Sequence, residues 1–456
     1  MKKNKIFIFL LFSLFYFCIG FYYREFFETN NIFFGADVSR IIDDLTIFDG
    51  NHYRTKVHPL FVILFNPFGV FINYFIKNKI LTSIFMTSLC ASGVIFILFK
   101  YIKELAIELR IIFVMFYSFS MTTLIFSSIP ETFIFGTFTL ILNHYLFEKI
   151  IEKIEKNEYD NELKKIIILN FLSIILCFGI TITNIIPSII LLIGILIKID
   201  LEKTLKLFNI KKSFSKIKTF LGVLFIVMSI STTGTIGQKI IYRSSGLFFT
   251  SSIQEELNYI KFGEKNAVDK IKEFLLTNET LKTKIEIIRG KKINFEEVDK
   301  TTKNNNFFEQ TENVIKNLFI YSLISPLPKE DDINKLNYNI ESYNSYNFIE
   351  KISVGIWFSF IIYCIFYSIS KKIYINYFIV LCILFNTCLH LLYGANESFL
   401  YSPHIFFLYI LLESNCVKML KKNNFFYKGF IFLGIGILII TISNNIQMIL
   451  KIKEIL

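Results

Sequence analysis

HPLFVILFNPFGVFINYFI, residues 58–76, is apolar enough to pass for a membrane span, yet it is interrupted where a span is least tolerant. Asn66, Pro67 and Gly69 fall in its middle and Asn73 follows. A proline inside a helix and an amide in hydrocarbon each cost on the order of a few kcal/mol. The reading matters because every real crossing flips the side of every later loop.

Around this stretch the chain alternates apolar segments and short polar ones. The other candidate spans are 5–22, 80–99, 110–128, 131–148, 165–183, 185–200, 217–237, 351–370, 373–393, 403–420 and 426–446. With 456 residues, 53% of them hydrophobic and 17% aromatic, the chain falls among polytopic helical membrane proteins. The formal charge of +12 is explained by lysine-rich loops, and nucleic acid is not among the expected partners. Seven cysteines lie in or at the ends of spans with no CxxC pair, which predicts small apolar fillers. MKKNK followed by a long apolar run without a small-x-small cleavage site predicts a retained first helix.

The positive-inside rule orders these segments. The lysine-rich loops 149–165 and 198–218 belong in the cytoplasm. They reach it, with Met1 cytoplasmic, only if one segment before residue 149 fails to cross, and 58–76 is the weakest. The expectation is therefore about eleven spans, with 58–76 re-entrant or interfacial on the outer side. Outside lie 23–79, the turns at Ser128–Glu131 and Asn184, the large loop 238–350, and Gly394–His404. Three parts follow: a transmembrane module over 1–237 whose first outer loop is 23–79, a loop or lid over 238–350, and C-terminal helices over 351–456. Within the lid, Asn266–Leu276 and Phe307–Ile320 read as helices, and Asn304–Asn306 and Ser325–Lys329 as loops.

The first outer loop carries the chemistry. Gly35–Phe61 reads GADVSRIIDDLTIFDGNHYRTKVHPLF. Val38, Ile41, Ile42 and Leu45 form one apolar face of a short helix, and Asp37, Arg40 and Asp44 a second, charged face. Such a helix is expected to lie flat among headgroups with its charges up. His52, Arg54, Lys56 and His58 follow. A lipid-linked phosphate needs cations to hold it, and an acceptor hydroxyl needs a carboxylate base. The simpler alternative is that Asp37 caps the helix and Arg40 merely pairs with Asp44. Glu131 opens the fourth span, either as a second acid in the same cavity or as a charge favourable to a helix N-terminus. Asn184 marks a tight outer turn. Glu397, Tyr401 and His404 lie on the last outer loop, Tyr401 also fitting an interfacial anchor and His404 a phosphate donor.

This arrangement resembles the GT-C superfamily of integral-membrane glycosyltransferases, the group that includes protein mannosyltransferases and aminoarabinose transferases. The likeness covers about residues 1–200: a first helix, an acidic residue early in the outer loop (Asp37), and a juxtamembrane segment opening with a basic residue and Pro-Leu (His58-Pro59-Leu60). Family members often carry an Asp-Glu or Asp-x-Asp pair; here Ala36-Asp37-Val38 leaves Asp37, Asp43 and Asp44 open as the base. The distance from Asp37 to His58 is also shorter than usual. The resemblance implies an all-α polytopic fold and transfer of a sugar from a polyprenyl-phosphate donor to a glycan, lipid or protein acceptor at the outer face of the plasma or inner membrane. It implies catalytic roles for Asp37 and Glu131. It implies substrate or phosphate contacts from Arg40, Asp44, His52, Arg54, Lys56, His58, Glu397, Tyr401 and His404. No cofactor is called for, and metal dependence stays open. The alternatives are a polysaccharide polymerase or ligase, or a lipid-linked oligosaccharide flippase. Against ion-coupled transport stand the lack of an internal repeat and an expectation that ionisable groups sit at span ends.

Overall fold

The structure, a computed structural model, describes residues 2–29, 32–33, 36–50, 52, 57–208, 215–243, 245–247, 307–325, 346–392, 395–419 and 425–455. It is helical but for a two-residue antiparallel pairing of β1 (Ile32–Phe33) with β2 (Ala36–Asp37). The first half holds α1 (Lys2–Tyr22), α2 (Arg24–Thr29), α3 (Val38–Thr46), α4 (Phe61–Ile76), α5 (Lys79–Tyr101), α6 (Ile107–Phe119), α7 (Met121–Phe126), α8 (Thr132–Glu155), α9 (Asn161–Ile180), α10 (Ile185–Lys198), α11 (Leu201–Leu207) and α12 (Lys216–Ile241). The second half holds α13 (Phe307–Ile315) continuing as a π-helical turn (Lys316–Tyr321), α14 (Phe348–Lys371), α15 (Tyr374–Leu392), a 3-10 segment (Ala395–Tyr401), α16 (Pro403–Lys418) and α17 (Phe425–Ile455).

Six of these helices are long and apolar enough to cross a membrane: α5, α9, α12, α14, α15 and α17. Their outward faces stay apolar, as at Phe225, Phe366 and Phe432, a surface that suits lipid and not water. The chain is thus a multi-pass, all-α protein. α10 and α11 pass the same test together but bend by 101° between them.

The helix ends sort into two groups. At one end Lys198 reaches Glu155 (3.0 Å), Lys203 reaches Asn157 (2.9 Å) and Lys418 reaches Glu148 (2.8 Å). This is the lysine-rich end. At the other, Tyr23 donates to the Ile449 carbonyl (2.6 Å) and Lys453 approaches Glu25 (3.6 Å), so the last helix finishes beside α2.

α4 lies at that second end. Leu60 N donates to Gly179 O (2.7 Å) at the end of α9, and the far end of α4 turns through Lys77, in the left-handed region, into the Asn78 cap of α5. The residues that interrupt a span here make a seat for α3. Asn66 Nδ2 donates to the carbonyls of Asp44 (3.0 Å) and Ile47 (2.9 Å), closing the open C-terminus of α3. Its Oδ1 accepts from Tyr242 (3.2 Å). A Cβ on Gly69 would stand 2.0 Å from the Leu45 carbonyl oxygen, so only glycine lets α3 approach this closely. The apolar face of α3 is therefore buried against protein, not spread on headgroups: Val38, Ile41, Ile42 and Leu45 are all covered, with α4 and α5 as neighbours. Gly69→Ala should cost about 1–3 kcal/mol through forced separation of the two helices. A melting temperature in detergent equal to that of the unaltered protein would mean α3 is not seated this way.

The expected third span is broken at Ser120, between α6 and α7. Backbone freed inside a bundle needs partners. Met121 N and Thr122 N donate to Leu323 O and Ser322 O (3.1 Å each), and Asn445 Nδ2 donates to Phe119 O (2.8 Å) and Leu323 O (2.7 Å). Residues 307–325, part of the stretch 238–350 read as a loop or lid, are thus built into the bundle, with Leu318, Leu323 and Ile324 fully buried. Phe307–Ile320 is helical as expected. Asn266–Leu276, Asn304–Asn306 and 326–329 lie outside the described residues.

Candidate functional site

The charged face of α3 becomes a chain of alternating charge. His52 Nδ1 donates to Asp44 Oδ1 at 2.7 Å, Arg40 donates to Asp44 Oδ2 at 3.0 Å, and Arg40 Nε donates to Asp37 Oδ2 at 3.2 Å. The spacing i, i+3, i+7 puts Asp37, Arg40 and Asp44 on one side of the helix, which is why one guanidinium bridges both carboxylates. Burial falls along the chain. His52 and Asp44 are enclosed, the Arg40 side chain is 13% exposed and that of Asp37 is 39% exposed. Asp37 occupies the cap position of α3 but makes no capping hydrogen bond with its side chain; its carboxylate is turned to Arg40. The Arg40–Asp44 half of the simpler alternative is present, and the capping half is not.

Both ring nitrogens of His52 face acceptors, Asp44 on one side and the Phe48 carbonyl on the other (3.3 Å), an arrangement only the imidazolium satisfies. Burial alone would push the ring down; the hydrogen bond and charge of Asp44, with the Phe48 and Ile47 carbonyls, hold it above its ordinary value. Tyr242 covers it edge-on, with ring centroids 5.2 Å apart. Because the folded value is raised, the proton contributes stability fully below the unfolded value of about 6.5 and loses it as pH rises through the folded value. The melting temperature should therefore fall as pH is raised above neutrality, and His52→Asn should flatten that slope. Equal slopes in the two proteins would count against a buried imidazolium.

Glu131 joins the same cluster from α8. It caps that helix, Oε1 accepting from Thr132 N (2.6 Å) and Thr132 Oγ1 (2.7 Å). Burial raises its carboxyl above the usual range, against the Arg40 charge and the Thr132 hydrogen bonds, and the nearby Asp37 charge adds to the rise. The first turn of α8 also reaches the 3-10 segment and the start of α16. His404 Nε2 donates to Phe133 O (3.1 Å), and a Cβ on Gly136 would stand 2.5 Å from that nitrogen and 3.0 Å from Asn184 Nδ2. Tyr401 stacks on His390 with centroids 4.2 Å apart and meets Phe133 edge-on at 5.0 Å. His58 Nδ1 donates to Ile180 O (2.7 Å), tying the start of α4 to the end of α9.

Asp37, Arg40, Asp44, His52 and Glu131 are thus brought together, with His404, Tyr401 and Asn184 on the other side of the α8 entrance. Arg54, Lys56 and the Glu397 side chain lie outside the described residues. Asp43 faces elsewhere on α3, though it senses the Asp44 and His52 charges. It faces a cavity of about 380 Å³ bounded by Phe27, Glu28, Ser39, Asn78 and Lys79, and burial pushes its carboxyl up against the pull of Lys79. Among the described residues no three His, Cys, Asp or Glu side chains converge as metal ligands. Sequence reading missed Asn66 and Tyr242 as supports, although Asn66 was visible as an amide out of place. It also missed Glu413, which is buried on α16 five residues from Lys418. No protein-family model matches the chain, and no curated protein does.

Proposed function

We propose that the protein is a membrane glycosyltransferase of GT-C type, with about eleven crossings and α4 lying re-entrant at the outer face. It takes a sugar from a polyprenyl-phosphate donor and passes it to a cell-surface acceptor. One observation carries this: a carboxylate at the mouth of the bundle, Asp37, is held by an arginine that is itself fixed by buried Asp44 and His52. A base must be accessible and oriented at once, and this chain supplies both. Asp37 removes the proton from the acceptor hydroxyl. The freed oxygen bonds to the sugar's anomeric carbon, and the carbon–oxygen bond to the lipid phosphate breaks. The phosphate departs as an anion toward the cations of the same loop, Arg54, Lys56 and His58, while Glu131 and Glu397 position sugar or acceptor and Tyr401 and His404 line the far wall.

Purified protein in liposomes, offered a panel of labelled polyprenyl-phosphate sugars and a lipid or glycan acceptor, should yield product that depends on the lipid-linked donor. Sugar left on its lipid with every donor, while labelled lipid moves across the bilayer, would replace this reading with transport.

A further inference from the structure

Glu413 is a charge-capable group where none is expected. It lies on α16 ten residues from Pro403 and five from Lys418, about 7.5 Å along the axis from the lysine-rich end. It is fully buried, and neither carboxyl oxygen has a hydrogen-bond partner among the described residues. One turn away on the same helix the buried Tyr409 hydroxyl is likewise without a partner, as is Trp357 Nε1 on neighbouring α14. Buried polar atoms are nearly always satisfied, so orphaned groups such as these on packed neighbouring helices call for internal water.

Cys416, three residues on and on the same side of α16, begins a run of polar contacts toward the lysine-rich end. The titratable groups that sense the Glu413 charge are the thiols of Cys416 and, on α14, Cys364. Other buried titratable groups on the helices packed against α16 include Tyr117 on α6, His144 and Glu148 on α8, and Cys382 and His390 on α15. From Cys416 Sγ the contacts run to Ser368 Oγ (3.4 Å), from there to Asn376 Nδ2 (2.7 Å), from Asn376 Oδ1 to Asn415 Nδ2 (2.8 Å), and on to the Tyr101 hydroxyl (3.1 Å). Lys418 sits over the Tyr101 ring and pairs with Glu148.

We propose that Glu413 is a proton-exchange site inside the bundle, in equilibrium with solvent at the lysine-rich end along this run of contacts. Hydronium arriving there gives its proton to the Glu413 carboxylate, leaving water and a neutral acid, and the reverse step releases it. A lone carboxylate in such surroundings costs far more than the acid, while the polar run gives the proton a way in and out. No step of glycosyl transfer at the opposite end needs this group, so the two proposals stand or fall separately.

The test is infrared spectroscopy of the full-length protein in lipid vesicles. Subtracting the Glu413→Gln spectrum should leave the carbonyl band of a protonated carboxyl, and that band should shift on transfer to heavy water. Asn415→Leu should slow the shift. No Glu413-dependent band would overturn the proposal, and so would a band that never shifts, which would make Glu413 a sealed structural acid. If Glu413→Gln does not fold, the unaltered protein still answers. A hydrophobic carbodiimide adds across a protonated carboxyl and rearranges to a stable acylurea, so an adduct mapped to Glu413 by mass spectrometry supports the site and its absence sinks it.

Discussion

Asp37→Asn should abolish transfer while leaving the fold standing. Asparagine keeps an oxygen to accept from Arg40 Nε, and the position is partly exposed, so packing and the α3 seat are unchanged. What is lost is proton affinity. General-base catalysis contributes about 10²–10⁴-fold, equivalent to about 3–5 kcal/mol of barrier, and that is the expected fall in kcat. KM for the donor should move little, because the leaving phosphate is held by other residues. Asp43→Asn is the matched comparison. It sits on the same short helix but faces the separate cavity with Glu28 and Lys79, so transfer should continue. A protein that tolerates Asp37→Asn and fails on Asp43→Asn would move the reaction to that cavity.

The alternation of apolar and charged faces over 38–45 was legible because a helix repeats every 3.6 residues, and all four apolar positions are buried as the period requires. Periodicity does not say what covers such a face. Protein covers it here, and the reason lies in Asn66 and Gly69, which read as flaws in a span but serve as a helix cap and a close-approach point. The three candidate carboxylates, Asp37, Asp43 and Asp44, could not be told apart by spacing within a loop. They separate only once Arg40 is seen to hold two of them. Glu413 was hidden by composition, since a single acid in a long apolar run barely changes its mean hydropathy. The same averaging hides the break at Ser120, where the partners come from residues some 200 positions later and leave no local mark.

Asp44→Ala should be the most damaging change to the site, and through stability before chemistry. Asp44 is shared by His52 and Arg40, and its side chain is enclosed. Removing one member of a buried ionic set leaves uncompensated charge, which costs about 3–5 kcal/mol. Two cations would be stranded here, although Arg40 keeps Asp37 and can turn outward, whereas His52 can shed its proton. The loss should therefore be pH-dependent, larger below about pH 6.5, where the ring must hold its proton or lose it at a cost, and smaller above. The double variant Asp44→Ala with His52→Asn separates the terms. If the imidazolium is what Asp44 stabilises, the double variant should melt close to Asp44→Ala at high pH and above it at low pH. Strict additivity at every pH would show that Asp44 and His52 act independently, and the buried half of the chain would then have no part in holding Asp37 in place.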